Sequence, residues 1–144
     1  MRLAVFDTNV LISAGIKRDG VPAAIVFDWA LEGQVQLVVC PSIAREYRQV
    51  ARRSKFLAHG FPPVWLEFLI EGSLSLPDPE PWPLAIPDPK DAPFLGLARA
   101  TGAWLVTGNL KHFPEKARGG VTVVSPAEYL TRLLAGGKEP TAAR

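Results

Sequence analysis

The chain has 144 residues, of which 48% are hydrophobic and 21% charged, and its formal net charge is +2. These values are typical of one globular domain with a sizeable core, and no apolar run is long enough to span a bilayer or to act as a signal peptide, so we expect a cytoplasmic protein. The single cysteine excludes an internal disulfide, and two histidines are too few to favour a zinc site.

Short apolar runs alternate with amphipathic segments, which is typical of βαβ units and a parallel sheet. The predicted strands are residues 3–6, 36–40, 104–107 and 121–124. The predicted helices are residues 21–32, 42 to about 55, 63–71, 91 to about 101 and 125–134. Proline or a small polar residue at the helix starts, and glycine beyond several of the helix ends, predict these boundaries. Ser42 and Ser125 are the predicted N-caps of their helices.

Residues 76–93 contain seven prolines, which predicts extended, irregular backbone rather than helix. The roughly 50 residues that follow are too few to form a separate domain. We therefore expect one domain over residues 1–134 and a flexible tail over residues 135–144. In this arrangement the proline-rich segment is a stiff surface connection that holds Asp88 and Asp91 in a fixed place.

The first predicted strand ends at three consecutive polar residues, Asp7, Thr8 and Asn9. Ligands of α/β folds bind in the crevice at the carboxyl ends of parallel strands, which is where Asp7 is expected to lie. The alternative is that Asp7 only caps the following helix. A cap needs one such residue, so the presence of three favours a functional role.

Three more polar residues lie where a predicted strand ends or a helix begins: Glu46, Asp91 and Asn109. Because strand ends and the helix starts that follow them share one edge of a parallel sheet, these residues can converge with Asp7. Carboxylate and amide oxygens are the ligands that Mg²⁺ and Mn²⁺ prefer, and clustered acids are unfavourable without a cation. Divalent ions held in this way promote attack of water on phosphorus, so the predicted chemistry is phosphodiester hydrolysis.

Four short segments follow one another in an order and at spacings that together indicate a family more specifically than any one segment does. They are Phe6-Asp7-Thr8-Asn9-Val10-Leu11-Ile12, Glu46 on its helix, Asp88-Pro-Lys-Asp91 leading into Phe94-Leu95, and Val106-Thr107-Gly108-Asn109. In this combination they resemble the PIN domain, over residues 2 to about 134. Within that family the chain is most similar to the VapC-like toxins of toxin–antitoxin systems.

The resemblance implies a three-layer α/β/α sandwich with a central parallel sheet, and a Mg²⁺- or Mn²⁺-dependent endoribonuclease. It implies catalytic roles for Asp7, Glu46, Asp91 and Asn109. Asp7 and Asp91 would bind metal directly, whereas Glu46 would complete the pocket directly or through water. The supporting residues that it implies are Thr8, Asn9 and Thr107. It also implies an RNA substrate and allows for a cognate antitoxin and a homodimer as partners.

The chain departs from the family pattern at the fourth position of the site. Many relatives carry an acid where this chain has Asn109, and some that have asparagine there carry an acid three residues later, where this chain has His112. The amide oxygen of Asn109 can still face a metal or its water, but it carries no charge. We therefore expect weaker binding of a second metal ion and not an inactive site. His112 is expected to be a surface residue.

Arg45, Arg48 and Arg52 recur at spacings of three and four residues on the predicted helix that carries Glu46. A row of cations beside an acidic metal pocket could hold the phosphate backbone of RNA. An ordinary solvated helix face explains the spacing equally well, so both interpretations stay open. The same holds for Glu46 as a solvated acid, for Asp91 as an N-cap, and for Asp88 and Asn109 as turn residues.

Two other functions compete with the nuclease. A phosphatase that forms an aspartyl-phosphate commonly has a second aspartate two residues after the nucleophile, where this chain has Asn9, so we consider it a weaker candidate. The other is a catalytically weak or inactive PIN-fold module that binds RNA or protein, which the neutral Asn109 suggests. Metal-dependent cleavage of RNA distinguishes this module from a nuclease.

Overall fold

A parallel sheet lies at the centre of the protein. The computed structural model describes residues 2–136, so most of the predicted tail, residues 137–144, lies outside the described residues. Within residues 2–136 the strands are β1 (Arg2–Phe6), β2 (Val35–Val39), β3 (Leu74–Ser75), β4 (Trp104–Val106) and β5 (Val123–Val124). Their order across the sheet is β3-β2-β1-β4-β5, and all neighbouring pairs are parallel.

Helices cover both faces of this sheet. In the described part of the chain they are α1 (Thr8–Ile16), α2 (Val21–Ala23, continued by a π-helix over Ala24–Ala30), α3 (Pro41–Ala51), α4 (Val64–Glu71), α5 (Ala92–Thr101) and α6 (Pro126–Leu134). Ala4, Val5 and Phe6 are consecutive residues of β1 and are all fully buried. Because successive side chains of a strand point to opposite faces, this burial requires cover on both sides. The predicted α/β/α sandwich is confirmed.

The predicted strands correspond to β1, β2, β4 and β5, but β3 was not predicted. β3 has only two residues, both exposed, and it pairs with one edge of β2. A strand of this length carries no alternation of apolar and polar residues, so its position depends on its pairing with β2 and not on a local pattern.

Across residues 2–136, no helix is long and apolar enough to cross a membrane.

Helix α3 differs from the prediction at both ends. It ends at Ala51 instead of near residue 55, because Arg53 has extended backbone before a short 3₁₀ helix over Ser54–His59. The predicted N-cap Ser42 is also wrong, since the helix already begins at Pro41. The Ser42 N–H donates instead to Oδ1 of Asp78, at 2.9 Å, so a carboxylate from the proline-rich segment binds a free N–H at the helix start. The cap of α6 is confirmed, since the Glu128 N–H donates to Ser125 Oγ at 3.1 Å.

The proline-rich segment is extended and is fastened to the domain at several points. Besides the Asp78 contact, Pro79 packs directly on Gly96 of α5, where a Cβ atom would lie 2.8 Å from the proline ring. Trp82 donates its Nε1–H to the carbonyl of Ala117 at 2.8 Å, and the Arg99 guanidinium lies 4.4 Å from the centre of its ring. These contacts carry the chain across the domain to the short 3₁₀ helix Pro89–Asp91 that precedes α5.

Candidate functional site

The ends of β1 and β4 bring Asp7 and Thr107 together. The two strands pair through Phe6 and Val106, and the Asp7 N–H donates to the Val106 carbonyl at 2.9 Å. Asp7 and Thr107 are the next residues on each strand, so both lie at the carboxyl edge of the sheet. Thr107 Oγ1 donates to Oδ2 of Asp7 at 2.8 Å. The contact joins residues 100 positions apart at the predicted edge.

The Asp7 carboxylate is almost entirely buried, with 5% of the residue exposed. Its Oδ1 accepts from the Thr8 N–H at 2.8 Å, and its Oδ2 accepts from Asn9 Nδ2 at 3.0 Å as well as from Thr107. Asp7 is therefore the N-cap of α1 and also a member of the buried cluster. Burial raises the pKa of Asp7, and the bonds from Thr107, Thr8 and Asn9 partly oppose that shift.

Asn9 links the turn after β1 to the turn after β4. Its Oδ1 accepts from the Gly108 N–H at 2.9 Å, and a Cβ atom on Gly108 would lie only 3.2 Å from that oxygen. The Asn109 N–H donates to Thr107 Oγ1 at 3.0 Å. The side chain of Thr107 therefore bonds to both turns, and together with Asn9 it fixes the orientation of the Asp7 carboxylate.

Glu46 lies on α3 and reaches the same edge. Thr8 Oγ1 donates to Oε2 of Glu46, which ties this helix to the residue that follows Asp7. Burial and then the charge of Asp7 raise the pKa of Glu46, while the Thr8 bond and the charge of Arg53 lower it. Glu46 is therefore not a freely solvated helix acid, which was the alternative left open by the sequence.

Asp91 occupies the N-cap position of α5, but its side chain makes no capping hydrogen bond. The residue is 8% exposed, and its Oδ2 lies 3.1 Å from Nδ1 of His112. Burial and the charge of Asp7 raise the pKa of Asp91 to about 6, against the opposing charge of His112. Asp88 instead accepts from the Lys90 N–H at 3.0 Å, so it makes the turn contact that its sequence suggested.

His112 lies at the surface as expected, but it also has a contact that the sequence did not predict. Its side chain is 45% exposed, but one ring nitrogen faces the buried Asp91 carboxylate. The cause is the short 3₁₀ helix Leu110–His112, which directs the chain back towards α5 after β4. The available signal was its position three residues after Asn109, where some relatives carry an acid.

The predicted RNA-binding arginines lie beside acids of the same chain. Arg48 forms a bidentate ion pair with Glu67 of α4, with Nε to Oε2 and Nη2 to Oε1 both at 3.0 Å. The hydrogen bonds from Ser42 lower the pKa of Asp78, and the charge of Arg45 adds a smaller effect in the same direction. Arg52, at the end of α3, borders with Arg48 and Glu67 a cavity of about 410 Å³. Arg53 is the arginine whose charge lowers the pKa of Glu46.

The oxygen donors of the pocket suit a hard divalent ion. Burial and then the charges of Asp7 and Glu46 raise the pKa of Asp91, so these carboxylates repel one another and a cation would relieve that repulsion. Across residues 2–136, no three acidic, histidine or cysteine side chains lie close enough together to hold a metal ion by themselves. A small number of carboxylate ligands suits an ion that keeps several water ligands, as Mg²⁺ usually does.

Comparisons with known proteins agree with this architecture. The PIN domain family model matches residues 3–111. The structure of FitAB bound to an IR36 DNA fragment is similar over 85% of this chain and 94% of that chain, with 19% identity and a TM-score of 0.56. The crystal structure of FitAcB from Neisseria gonorrhoeae covers 86% of this chain and 98% of that chain, with 18% identity and a TM-score of 0.54.

At these identities the two solved structures establish a shared fold. A search of curated proteins found no match. The family model, by contrast, spans most of the chain, including Asp7, Glu46 and Asp91. The chain belongs to the PIN domain family.

Proposed function

We propose that the protein is a Mg²⁺- or Mn²⁺-dependent endoribonuclease that hydrolyses RNA phosphodiester bonds at the pocket of Asp7, Glu46 and Asp91. PIN domains are generally nucleases that use divalent metal ions, which supports this chemistry. The observation that carries the proposal is the burial of Asp7 and Asp91 near each other at the carboxyl edge of the sheet, where their charges are unfavourable without a cation.

In this proposal each pocket residue has a distinct task. Asp7 and Asp91 hold the ion, and Glu46 contacts it directly or through water. When bound, the ion supplies a polarised water and neutralises negative charge that develops on the phosphate. Thr107 and Asn9 hold the Asp7 carboxylate in one orientation, and Thr8 does the same for Glu46. Asn109 contributes a neutral amide at the edge of the pocket.

We also propose that the protein acts in the cytoplasm as the toxin component of a toxin–antitoxin system. The support is the sequence resemblance to VapC-like toxins, which allows for a cognate antitoxin and a homodimer as partners. The chain also shares its fold with FitAB, whose structure was determined bound to a DNA fragment, and this similarity agrees with the proposed role. Growth arrest on expression, absent for Asp7→Asn, would support the toxin role.

The first experiment compares the purified protein with Asp7→Asn on structured and single-stranded RNAs, in Mn²⁺, Mg²⁺ or EDTA. We expect cleavage that requires metal and falls by at least about 100-fold in the variant, because Asp7 would be a direct metal ligand. Asp28→Asn is the matched control, since Asp28 is an exposed aspartate on the π-helical part of α2. Equal activity of Asp7→Asn and the wild type would contradict the assignment of the pocket.

The second candidate function is a PIN-fold module that binds RNA or protein without cleaving it. The observation that favours it is the neutral residue Asn109, whose backbone N–H donates to Thr107 Oγ1, the group that also donates to Asp7. Binding of RNA without cleavage by folded protein, in either metal, would support this module over the nuclease. Recovery of cleavage in Asn109→Asp would then identify the missing fourth acid as the cause.

A further inference from the structure

The imidazole of His112 lies near the pocket, but the proposed hydrolysis gives it no role. His112 Nδ1 lies 3.1 Å from Oδ2 of Asp91, a buried carboxylate that makes no capping bond. The charge of His112 also lowers the pKa of Asp7, against the larger effect of burial.

The 3.1 Å separation of His112 Nδ1 and Asp91 Oδ2 is that of a hydrogen bond, and it would also let both atoms bind a single ion. Ligands about 2.1 Å from an octahedral ion and at right angles to each other lie about 3.0 Å apart. In its neutral form an imidazole offers one nitrogen lone pair, and the ring of His112 is exposed enough to turn towards an ion. No three donors converge in advance within residues 2–136, so binding would draw His112 and Asp91 towards Asp7.

We propose that His112 is a nitrogen ligand of the metal ion held by Asp7 and Asp91, and that it makes this site prefer Mn²⁺ to Mg²⁺. The proposal rests on the proposed function, because it concerns the same pocket. Imidazole nitrogen binds transition-metal ions better than it binds Mg²⁺, whose preferred ligands are oxygen atoms. A site of two carboxylates and one imidazole therefore differs in selectivity from one of carboxylates alone.

The test is electron spin-echo spectroscopy of the Mn²⁺-loaded protein, which detects nitrogen bound directly to the ion. We expect nitrogen modulation in the wild type and its absence in His112→Ala. The chain offers a matched control, because its other histidine, His59, is exposed in the 3₁₀ helix Ser54–His59. His59→Ala should keep the full signal.

Metal titration provides a second readout that does not depend on cleavage. Mn²⁺ affinity should fall by about tenfold or more in His112→Ala, the scale on which even outer partners of a metal site act. Mg²⁺ affinity should change less, and His112→Asp should shift the preference towards Mg²⁺. If His112→Ala does not fold, His112→Gln removes the ring nitrogen while keeping a polar side chain of similar reach.

Each outcome has a distinct meaning. Mn²⁺ binding without nitrogen modulation in the wild type, or modulation that persists in His112→Ala, overturns the role of His112 and leaves the nuclease proposal intact. Equal or tighter Mn²⁺ binding by His112→Ala shows that the histidine only covers Asp91, and it also overturns the inference. Failure of the wild type to bind Mn²⁺ or Mg²⁺ overturns both proposals.

Discussion

The carboxylates of Asp7 and Asp91 are buried at the carboxyl edge of the sheet, and each has a partner from a distant part of the chain. Thr107 donates to Asp7 from the end of β4, and His112 faces Asp91 from the turn that follows. Such contacts offset part of the cost of burying charge, but the raised pKa of both acids shows that the offset is incomplete. Without a bound cation, the buried charges of the pocket therefore lower the stability of the folded protein.

This imbalance predicts a pH dependence of stability without metal. The pKa of Asp91 is raised to about 6 from an ordinary 3.8, so the folded state binds a proton more tightly than the unfolded state. Its contribution to stability is then full below about pH 4 and is lost as the pH rises through about 6. We expect Asp91→Asn to be more stable than the wild type at pH 7.5, by on the order of 1–3 kcal/mol, and at pH 4 the difference should shrink.

Urea unfolding at several pH values, in EDTA, measures this effect. Asp19→Asn is the control, because Asp19 is an exposed acid in the turn before α2. If the stability of the wild type and of Asp91→Asn depends on pH in the same way, burial of the Asp91 carboxylate does not lower stability. Added Mn²⁺ should stabilise the wild type more than Asp91→Asn, since an ion that binds only the folded state shifts unfolding by mass action.

The proline-rich segment and α5 form one unit at the scale of elements. Pro79 packs so closely on Gly96 that a larger residue there would clash with the proline ring. Asp78, one residue earlier, binds the first turn of α3, and the segment continues to Asp88 and Asp91. The position of Asp91 in the pocket therefore depends on contacts that are made more than ten residues before it.

Gly96→Ala tests this dependence, because its expected sign is opposite to helix propensity. Alanine in place of glycine inside a helix ordinarily stabilises by about 1 kcal/mol. Here the new Cβ would meet Pro79 Cβ and Cγ at 2.8 Å, so we expect a loss of about 1–3 kcal/mol in thermal or urea unfolding.

The matched background is Pro79→Gly, which removes both opposing carbon atoms. Gly96→Ala should cost clearly less in that background, and the difference is the coupling energy of the contact. If Gly96→Ala stabilises the otherwise wild-type protein, the proline-rich segment moves away from the new Cβ atom at no cost in stability, which would contradict the prediction.

Charge is distributed unevenly over the whole molecule, although the formal net charge is only +2. Arg48 is paired with Glu67, and Arg45 lies near Asp78, so part of the predicted basic row is neutralised by the fold. Arg52 is exposed at the end of α3 and affects the pKa of Glu67 less than Arg48 does, and the charge of Arg53 lowers the pKa of Glu46. The favourable surface for a phosphate backbone is therefore the end of α3 more than its middle.

We expect the arginines to differ in their effect on RNA binding. Arg52→Ala should weaken binding and reduce the slope of affinity against salt concentration by about 1, the value for the loss of one phosphate contact. Arg48→Ala should change the slope less, because Glu67 already occupies its guanidinium.

The measurement is RNA affinity over a range of salt concentrations in the Asp7→Asn background, which prevents cleavage. Arg132→Ala is the control, since Arg132 lies on α6 against Trp104. If affinity and slope are unchanged in both Arg52→Ala and Arg48→Ala, the row of arginines on α3 is an ordinary solvated helix face and does not bind RNA.

Most of the fold follows from local patterns in the sequence. The apolar run before Asp7 predicts β1, and the serine and proline at residues 125 and 126 predict the start of α6, because strand burial and helix capping depend on neighbouring residues. β3 and the early end of α3 escape such patterns, since a two-residue strand depends on its partner and the extended backbone at Arg53 has no local signal.

The sequence by itself determined the parallel α/β class and predicted Asp7, Glu46 and Asp91 at one edge, because strand ends and helix starts share that edge in a parallel sheet. Only the tertiary structure decided which side chains meet there. His112 and Asp91 are 21 residues apart, and Arg48 and Glu67 are 19 apart. Such pairs form where turns and helices happen to approach, and no periodicity along the chain encodes that approach.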